Sequence, residues 1–386
     1  MEGERNLKLW KRFVELPPEY IGFKLARHGL SNPPNPITLT FSVTNRCQSR
    51  CRTCKIWRYY REHPEKESDE LSLDEIERIF ASTGHVGFLN ISGGEPFLRE
   101  DISEIVALGA QHLTPEIIHL PTNALQPEKV VADVKKMLEG LRARNYEVPL
   151  TVKPSLDGVG ALHDEIRGVR GNFDKVTRTV EMLKELCADY ANLHVEVGTV
   201  VSKDNIDRLD ELAEFVKTLG VESYRSEIAE ERAEFFNRGD GITPDLESYE
   251  RAIASFANAT RERMRTKRRL TRAAESLRLV YYDLAVRIMR EKRQVLPCYG
   301  GITNAHLNPY GELWPCCVLG YDKPLGTLRE NDYDFQKVWH SQQAREVREY
   351  VRAGNCACPL ANQTYSNILM SPRYLAKTVF NLLRAM

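Results

Sequence analysis

A chain of 386 residues with 54 basic and 54 acidic side chains carries no net charge, which removes any global electrostatic case for nucleic acid or an anionic membrane as partner. The length predicts one large domain plus a small one, and 42% hydrophobic content supplies their cores. Nine cysteines fall in clumps, three near the start, one alone and five after Pro297. Secreted disulfide frameworks are usually short and even-numbered, so clumped thiols fit metal ligation in a reducing, cytoplasmic setting. The N-terminus lacks a signal peptide's apolar core, and no apolar run reaches the ~20 residues that span a bilayer.

Residues 1–35 predict an amphipathic helix, with Leu7, Leu9, Trp10, Phe13, Val14 and Leu16 interleaved with Lys8, Lys11 and Arg12, stopping before Pro17-Pro18. Packing on the main domain is the expectation; peripheral contact with a membrane surface is the sharper alternative. From Ile37 to Ser226, within a domain over 36–226, strands and helices alternate, which predicts parallel βα units. Six strands are expected at Ile37–Thr44, Gly87–Ser92, Glu116–Leu120, Leu150–Ser155, His194–Val201 and Glu222–Ser226. Six units are too few to close an eight-stranded barrel, so the expected fold is α/β, a partial, TIM-like (βα)6 barrel. Parity places Thr38, Thr40, Ser42, Asn90, Ser92, Thr151, Lys153, Ser155, His194 and Glu196 on the inward faces, opposite Leu39, Phe41, Val43 and Val152. An ordinary packed barrel would put its Val, Ile and Leu inside; this polar interior is built to hold something. Residues 227–295 follow as an acidic stretch and a helical linker with a basic run, Arg261–Arg272, expected to be a solvated helix face. Residues 296–386 form a short cysteine-rich domain ending in an apolar helix.

Directly after the first strand, Cys47, Cys51 and Cys54 stand at C-x3-C-x2-C. Three thiolates in one tight loop can hold three irons of a cubane cluster and leave the fourth open; zinc, which wants four closed ligands, is the competing reading. The motif resembles the cluster loop of the radical S-adenosylmethionine (SAM) enzymes, and Gly93-Gly94-Glu95-Pro96, Thr122-Asn123-Ala124 and Ser155-Leu156-Asp157-Gly158 continue the resemblance.

That resemblance implies a SAM-binding [4Fe–4S] cluster on Cys47, Cys51 and Cys54. It also implies cofactor contacts from Gly93, Gly94, Glu95, Thr122, Asn123, Ser155, Asp157, Arg167 and Asn205. Where the family carries an aromatic or large apolar residue before the third cysteine, this chain has Thr53, with Ile56 or Trp57 as replacements. The order Cys298, twelve residues, Gly311, four residues, Cys316 resembles a SPASM/twitch extension. It implies one auxiliary [4Fe–4S] cluster, expected on Cys298, Cys316, Cys356 and Cys358, with Cys317 left over; a four-cysteine zinc knuckle is the alternative. Tyr224, Arg225, Glu227, Glu196, His194 and Lys153 are candidate groups for substrate chemistry.

The form C-x-C…Asn-Ile-Leu…Pro-Arg-Tyr resembles radical SAM proteins of glycan and lipid biosynthesis. The expected activity is therefore hydrogen abstraction from a sugar, lipid or polyprenyl-linked small molecule, with a ferredoxin or flavodoxin as reductant. Two alternatives stand beside it. One is a peptide-modifying maturase, against which only about 35 residues precede Ile37. The other is a nucleic-acid-binding zinc protein using Arg261–Arg272.

Overall fold

The computed structural model describes residues 18–265 and 269–384; the expected helix around Trp10 and part of the Arg261–Arg272 run lie outside them. Six strands pair in parallel and in sequence order: β1 (Thr38–Ser42), β2 (Phe88–Ser92), β3 (Ile117–Thr122), β4 (Leu150–Pro154), β5 (Leu193–Val201) and β6 (Ser223–Ile228). Helices cover their outer side, as in an open portion of a TIM-like barrel. Three further strands, β7 (Asn304–Leu307), β8 (Glu312–Trp314) and β9 (Gly326–Thr327), continue the same sheet beyond β1. β7 lies parallel to β1, with Thr38 opposite Asn304 and Phe41 opposite Leu307, and β8 and β9 follow antiparallel. The cysteine-rich region is thus hydrogen-bonded to the barrel rather than hung from it.

Local sequence explains the first helix of the barrel. Ser72 accepts from the Glu75 backbone N–H while the Glu75 carboxylate accepts from the Ser72 N–H, a capping box. The helix runs Leu73–Thr83 and stops at Gly84, whose φ of 76° suits glycine. Its buried face carries Ile76, Ile79 and Phe80, and Phe80 meets Phe41 of β1 edge-on at 5.9 Å between ring centres.

The strand parity read from the sequence places residues as expected. Leu39, Phe41, Leu89, Ile91, Ile118, Leu120, Val152 and Val195 are buried in the core under the helices. Inside, Asn90 Oδ1 accepts from His119 Nδ1 at 2.6 Å, Glu196 pairs with Arg225 at 2.7 Å, and Lys153 lies 3.8 Å from Glu227. Arg278 adds a second cation beside Glu196 at 3.5 Å, from the helix Arg269–Glu291. Burial holds His119 neutral by pushing its pKa well down, while the neighbouring arginines outweigh burial and keep Glu196 at about 2. His194 is the exception: it sits half-exposed at the opposite end, 3.0 Å from Glu222.

Replacing Phe80 by alanine removes a fully buried ring that bridges helix and sheet. We expect a loss of about 3–5 kcal/mol, measured as a lower denaturant midpoint with an unchanged native circular dichroism spectrum.

Candidate active site

At the C-terminal ends of the strands lies an open cleft, where the loops of such a barrel gather. Cys47, Cys51 and Cys54 line it, and so do Gly93, Gly94, Glu95, Thr122, Asn123, Ser155 and Arg167. The cysteine loop is fixed on both flanks by backbone pairing. On one side Gly94 N donates to Thr44 O and Glu95 N to Arg46 O, both at 2.7 Å; on the other Arg50 N and Arg52 N donate to Arg167 O and Ile166 O at 2.9 Å. Glycine is required at 94 because a Cβ there would lie 2.7 Å from the Arg46 carbonyl carbon and 2.9 Å from Asn45 O. The pair therefore admits the cysteine loop itself to the end of β2, besides leaving the cleft wall bare.

Glu95 joins three strand ends. Its carboxylate accepts from Thr122 Oγ1 at 2.9 Å, Asn123 N at 2.7 Å and Phe97 N at 3.3 Å. Burial, only partly offset by these donors and by Arg167, raises its pKa to about 7. The thiols respond to the same desolvation: burial, then the charge of neighbouring thiols, pushes Cys47 well up and Cys54 to about 12. Thiols crowded on one dry wall become thiolates when a metal takes them, so the donor set fits an iron–sulfur cluster. Asn123 Nδ2 and Arg167 Nη1 each approach a sulfur at 3.7 Å, that of Cys47 and of Cys51. Ile56 lines the cleft, whereas Trp57 lies beneath the guanidinium groups of Arg58 and Arg61; Ile56 is thus the replacement the structure offers beside Thr53.

Several expected contacts do not reach the cleft wall. Asp157 is fully buried, holding Arg167 Nε at 2.8 Å and accepting from Val200 N, so it positions the arginine that does line the cleft. Asn205 is buried too, and its amide donates to Asp157 O and Val200 O, bracing two loops. Tyr224 points outward, its hydroxyl 2.9 Å from Thr199 and its ring on Phe256. Glu196 and Arg225 are spent on each other below the cleft, and Lys153 is buried near Glu227; only Glu227 of this group lines the wall. The sequence reading passed over Glu230 and Arg232, which do line it. Their position just after β6, where βα loops build the site, was the available signal.

In the C-terminal region Cys298, Cys316, Cys356 and Cys358 influence one another electrostatically, and burial raises all four, Cys298 to about 11 and Cys316 to about 12. Cys298, Cys356 and Cys358 share one small pocket. Cys317 is held apart: Arg232 Nη1 donates to its sulfur at 2.6 Å.

Residues 41–216 match the radical SAM superfamily, and residues 298–359 match SPASM, an iron–sulfur cluster-binding domain. The chain belongs to the radical SAM superfamily and carries a C-terminal SPASM domain. It is an enzyme that uses SAM and a [4Fe–4S] cluster, with auxiliary iron–sulfur in the SPASM domain; these matches bear out iron–sulfur rather than zinc for the two thiol sets.

Among relatives, it is 28% identical to mycofactocin maturase MftC of Mycolicibacterium smegmatis, over 83% of this chain and 75% of that protein. It is 23% identical to the antilisterial bacteriocin subtilosin biosynthesis protein AlbA of Bacillus subtilis, over 84% and 67%. An AdoMet-dependent heme synthase of Methanosarcina barkeri is 24% identical over 81% and 85%. Streptococcus suis SuiB bound to S-adenosylmethionine shares the fold, with a TM-score of 0.58 and 18% identity over 85% of this chain and 70% of that one. Among the described residues, no helix is long and apolar enough to cross a membrane.

Gly94→Ala forces the cysteine loop off the end of β2. Anaerobically purified variant protein is expected to lose about half its iron, the share of one of two cubanes, as read by iron and sulfide counting.

Proposed function

We propose that this enzyme is a peptide-modifying maturase that abstracts a hydrogen atom from its substrate in the cleft above β1–β6. The observation carrying this reading is the similarity to MftC and AlbA along more than four-fifths of the chain. A SuiB structure of the same fold is described with its precursor peptide SuiA. None of the relatives reported above is named for a sugar, lipid or polyprenyl-linked substrate, so the peptide class replaces that expectation. A heme precursor is the second reading, on the strength of the M. barkeri relative.

In this reading Cys47, Cys51 and Cys54 hold the SAM-binding cluster, and Cys298, Cys316, Cys356 and Cys358 hold the auxiliary one. Held on the first set and reduced, a [4Fe–4S] cluster would supply the one electron needed for reductive cleavage of SAM. Glu95 receives the amino group of SAM, and Ser155 with Asn123 offers hydrogen-bond partners to its polar groups. Arg167, oriented by Asp157, keeps a positive charge beside the Cys51 sulfur. Glu227, Glu230 and Arg232 form the wall that meets the substrate, and Glu230, raised by burial to about 7, can carry a proton near neutral pH.

Two outcomes test this. With dithionite and SAM, formation of 5′-deoxyadenosine should rise on adding a low-mass cell extract, and protease treatment of that extract should abolish the rise. A protease-resistant stimulus, or one reproduced by porphyrins, overturns the peptide class, and Cys51→Ala should be silent throughout. Separately, Glu95 is mostly protonated below about pH 7 in the SAM-free protein, so SAM binding releases a proton. SAM affinity measured by calorimetry should weaken as pH falls from 8 to 6, by up to roughly tenfold per pH unit below the pKa, and Glu95→Gln should bind weakly at every pH.

A further inference from the structure

Cys317 belongs to neither thiol set, and its surroundings have a composition of their own. A carboxylate oxygen of Glu234, a ring nitrogen of His306 and the Cys317 sulfur all lie within 4.8 Å of one another. They come from three places: the segment after β6, strand β7 and the turn after β8. His306 is almost wholly buried, its ring packed on Trp314 at 5.0 Å, with Nε2 3.6 Å from Glu234 and 2.8 Å from Ser42 Oγ. The second Glu234 oxygen is buried and faces the Arg232 guanidinium at 3.8 Å, beyond hydrogen-bond distance.

We propose that Glu234, His306 and Cys317 bind a zinc ion, a mononuclear centre distinct from both iron–sulfur sites. With its thiol protonated the cluster is already charge-balanced, because Arg232 lies 3.8 Å from Glu234. Zinc binding sends the Cys317 proton to solvent; the two anionic ligands match the charge of the ion, and Arg232 keeps Glu230 and Glu227 as its counter-charges. One sulfur, one imidazole nitrogen and one carboxylate oxygen suit zinc, whereas a thiolate disfavours magnesium or calcium. The ion takes the place on Nε2 that Ser42 now holds, and three protein ligands leave a fourth position of the tetrahedron. Such a centre would pin the C-terminal domain to the Glu230–Arg232 wall of the cleft.

The test is elemental analysis and zinc-edge X-ray absorption on the anaerobically purified holoenzyme, given one equivalent of zinc and dialysed. The expected result is about one zinc per chain, with a single sulfur neighbour at ~2.3 Å and the remaining neighbours nitrogen or oxygen. Cys317→Ser and Glu234→Gln should each lower retained zinc at least tenfold while iron stays at the wild-type count. Absence of zinc, a four-sulfur shell or zinc retained in both variants overturns the proposal. Iron loss in Cys317→Ser also overturns it, by returning that thiol to a cluster. The wild-type spectrum decides the matter even where a variant fails to fold.

Discussion

The backbone of Arg46 lies so close to residue 94 that no side chain fits between them, and the architecture of the cleft follows from this contact. Because glycine stands there, the ladder between β1 and β2 continues past the strand ends, through Gly94 N to Thr44 O and Glu95 N to Arg46 O. Glu95 then lands where its carboxylate can collect donors from the end of β3, and Asn123 turns back toward the Cys47 sulfur. Three consecutive strand ends become one closed set of hydrogen bonds around the thiols. On the opposite flank Gly168, with φ of 66°, lets the Arg167 region press on Arg50 in the same way. Each bond contributes only about 1 kcal/mol net, so the loop is held by the number of its anchors rather than by any single one.

Much of this was legible in the sequence because it depends on short periods. Alternation of Thr38, Thr40 and Ser42 with Leu39 and Phe41 located β1 and its polar face, and the same arithmetic worked for β2 and β4. The cysteine spacing and the Gly-Gly-Glu triplet pointed to the cleft, since both act through backbone at strand ends. What parity could not supply was distance along the barrel axis. His194 and Glu196 share a face, yet one meets Glu222 at the N-terminal end of β5, away from the cleft, and the other is buried among arginines. Nor could it separate a residue that lines the cleft from one that orients it: Asp157 and Arg167 were both expected as contacts, and only the arginine reaches the wall. Tyr224 misled because β6 carries polar residues on its outward side as well, where Thr199 satisfies the hydroxyl.

The acidic stretch after β6 shows the same limit from the other side. Read as charge alone, Glu227, Glu230, Glu231 and Glu234 look like a solvated surface. In the fold they are distributed: Glu227 and Glu230 face the cleft, Glu231 accepts from Gly239 N and Ile242 N to close its own loop, and Glu234 turns toward His306. Their surroundings give them different chemistry, and for Glu234 those surroundings are His306 and Cys317 of the C-terminal domain, which no local window of sequence contains.

That domain is placed by a ladder. β7 donates to and accepts from β1, the strand that delivers the cysteine loop, so the wall carrying Cys316 and Cys317 is built on the same sheet as Cys47. A domain joined only by a linker would be free to swing, and its separation from the cleft would be an average over many arrangements. Here a change in that separation would require breaking the β1–β7 bonds and exposing Leu307, Leu313 and Trp339, all fully buried. The gap between the two thiol sets is therefore set by strand spacing, and the segment Glu230–Glu234 that fills it inherits the rigidity of the sheet on both sides.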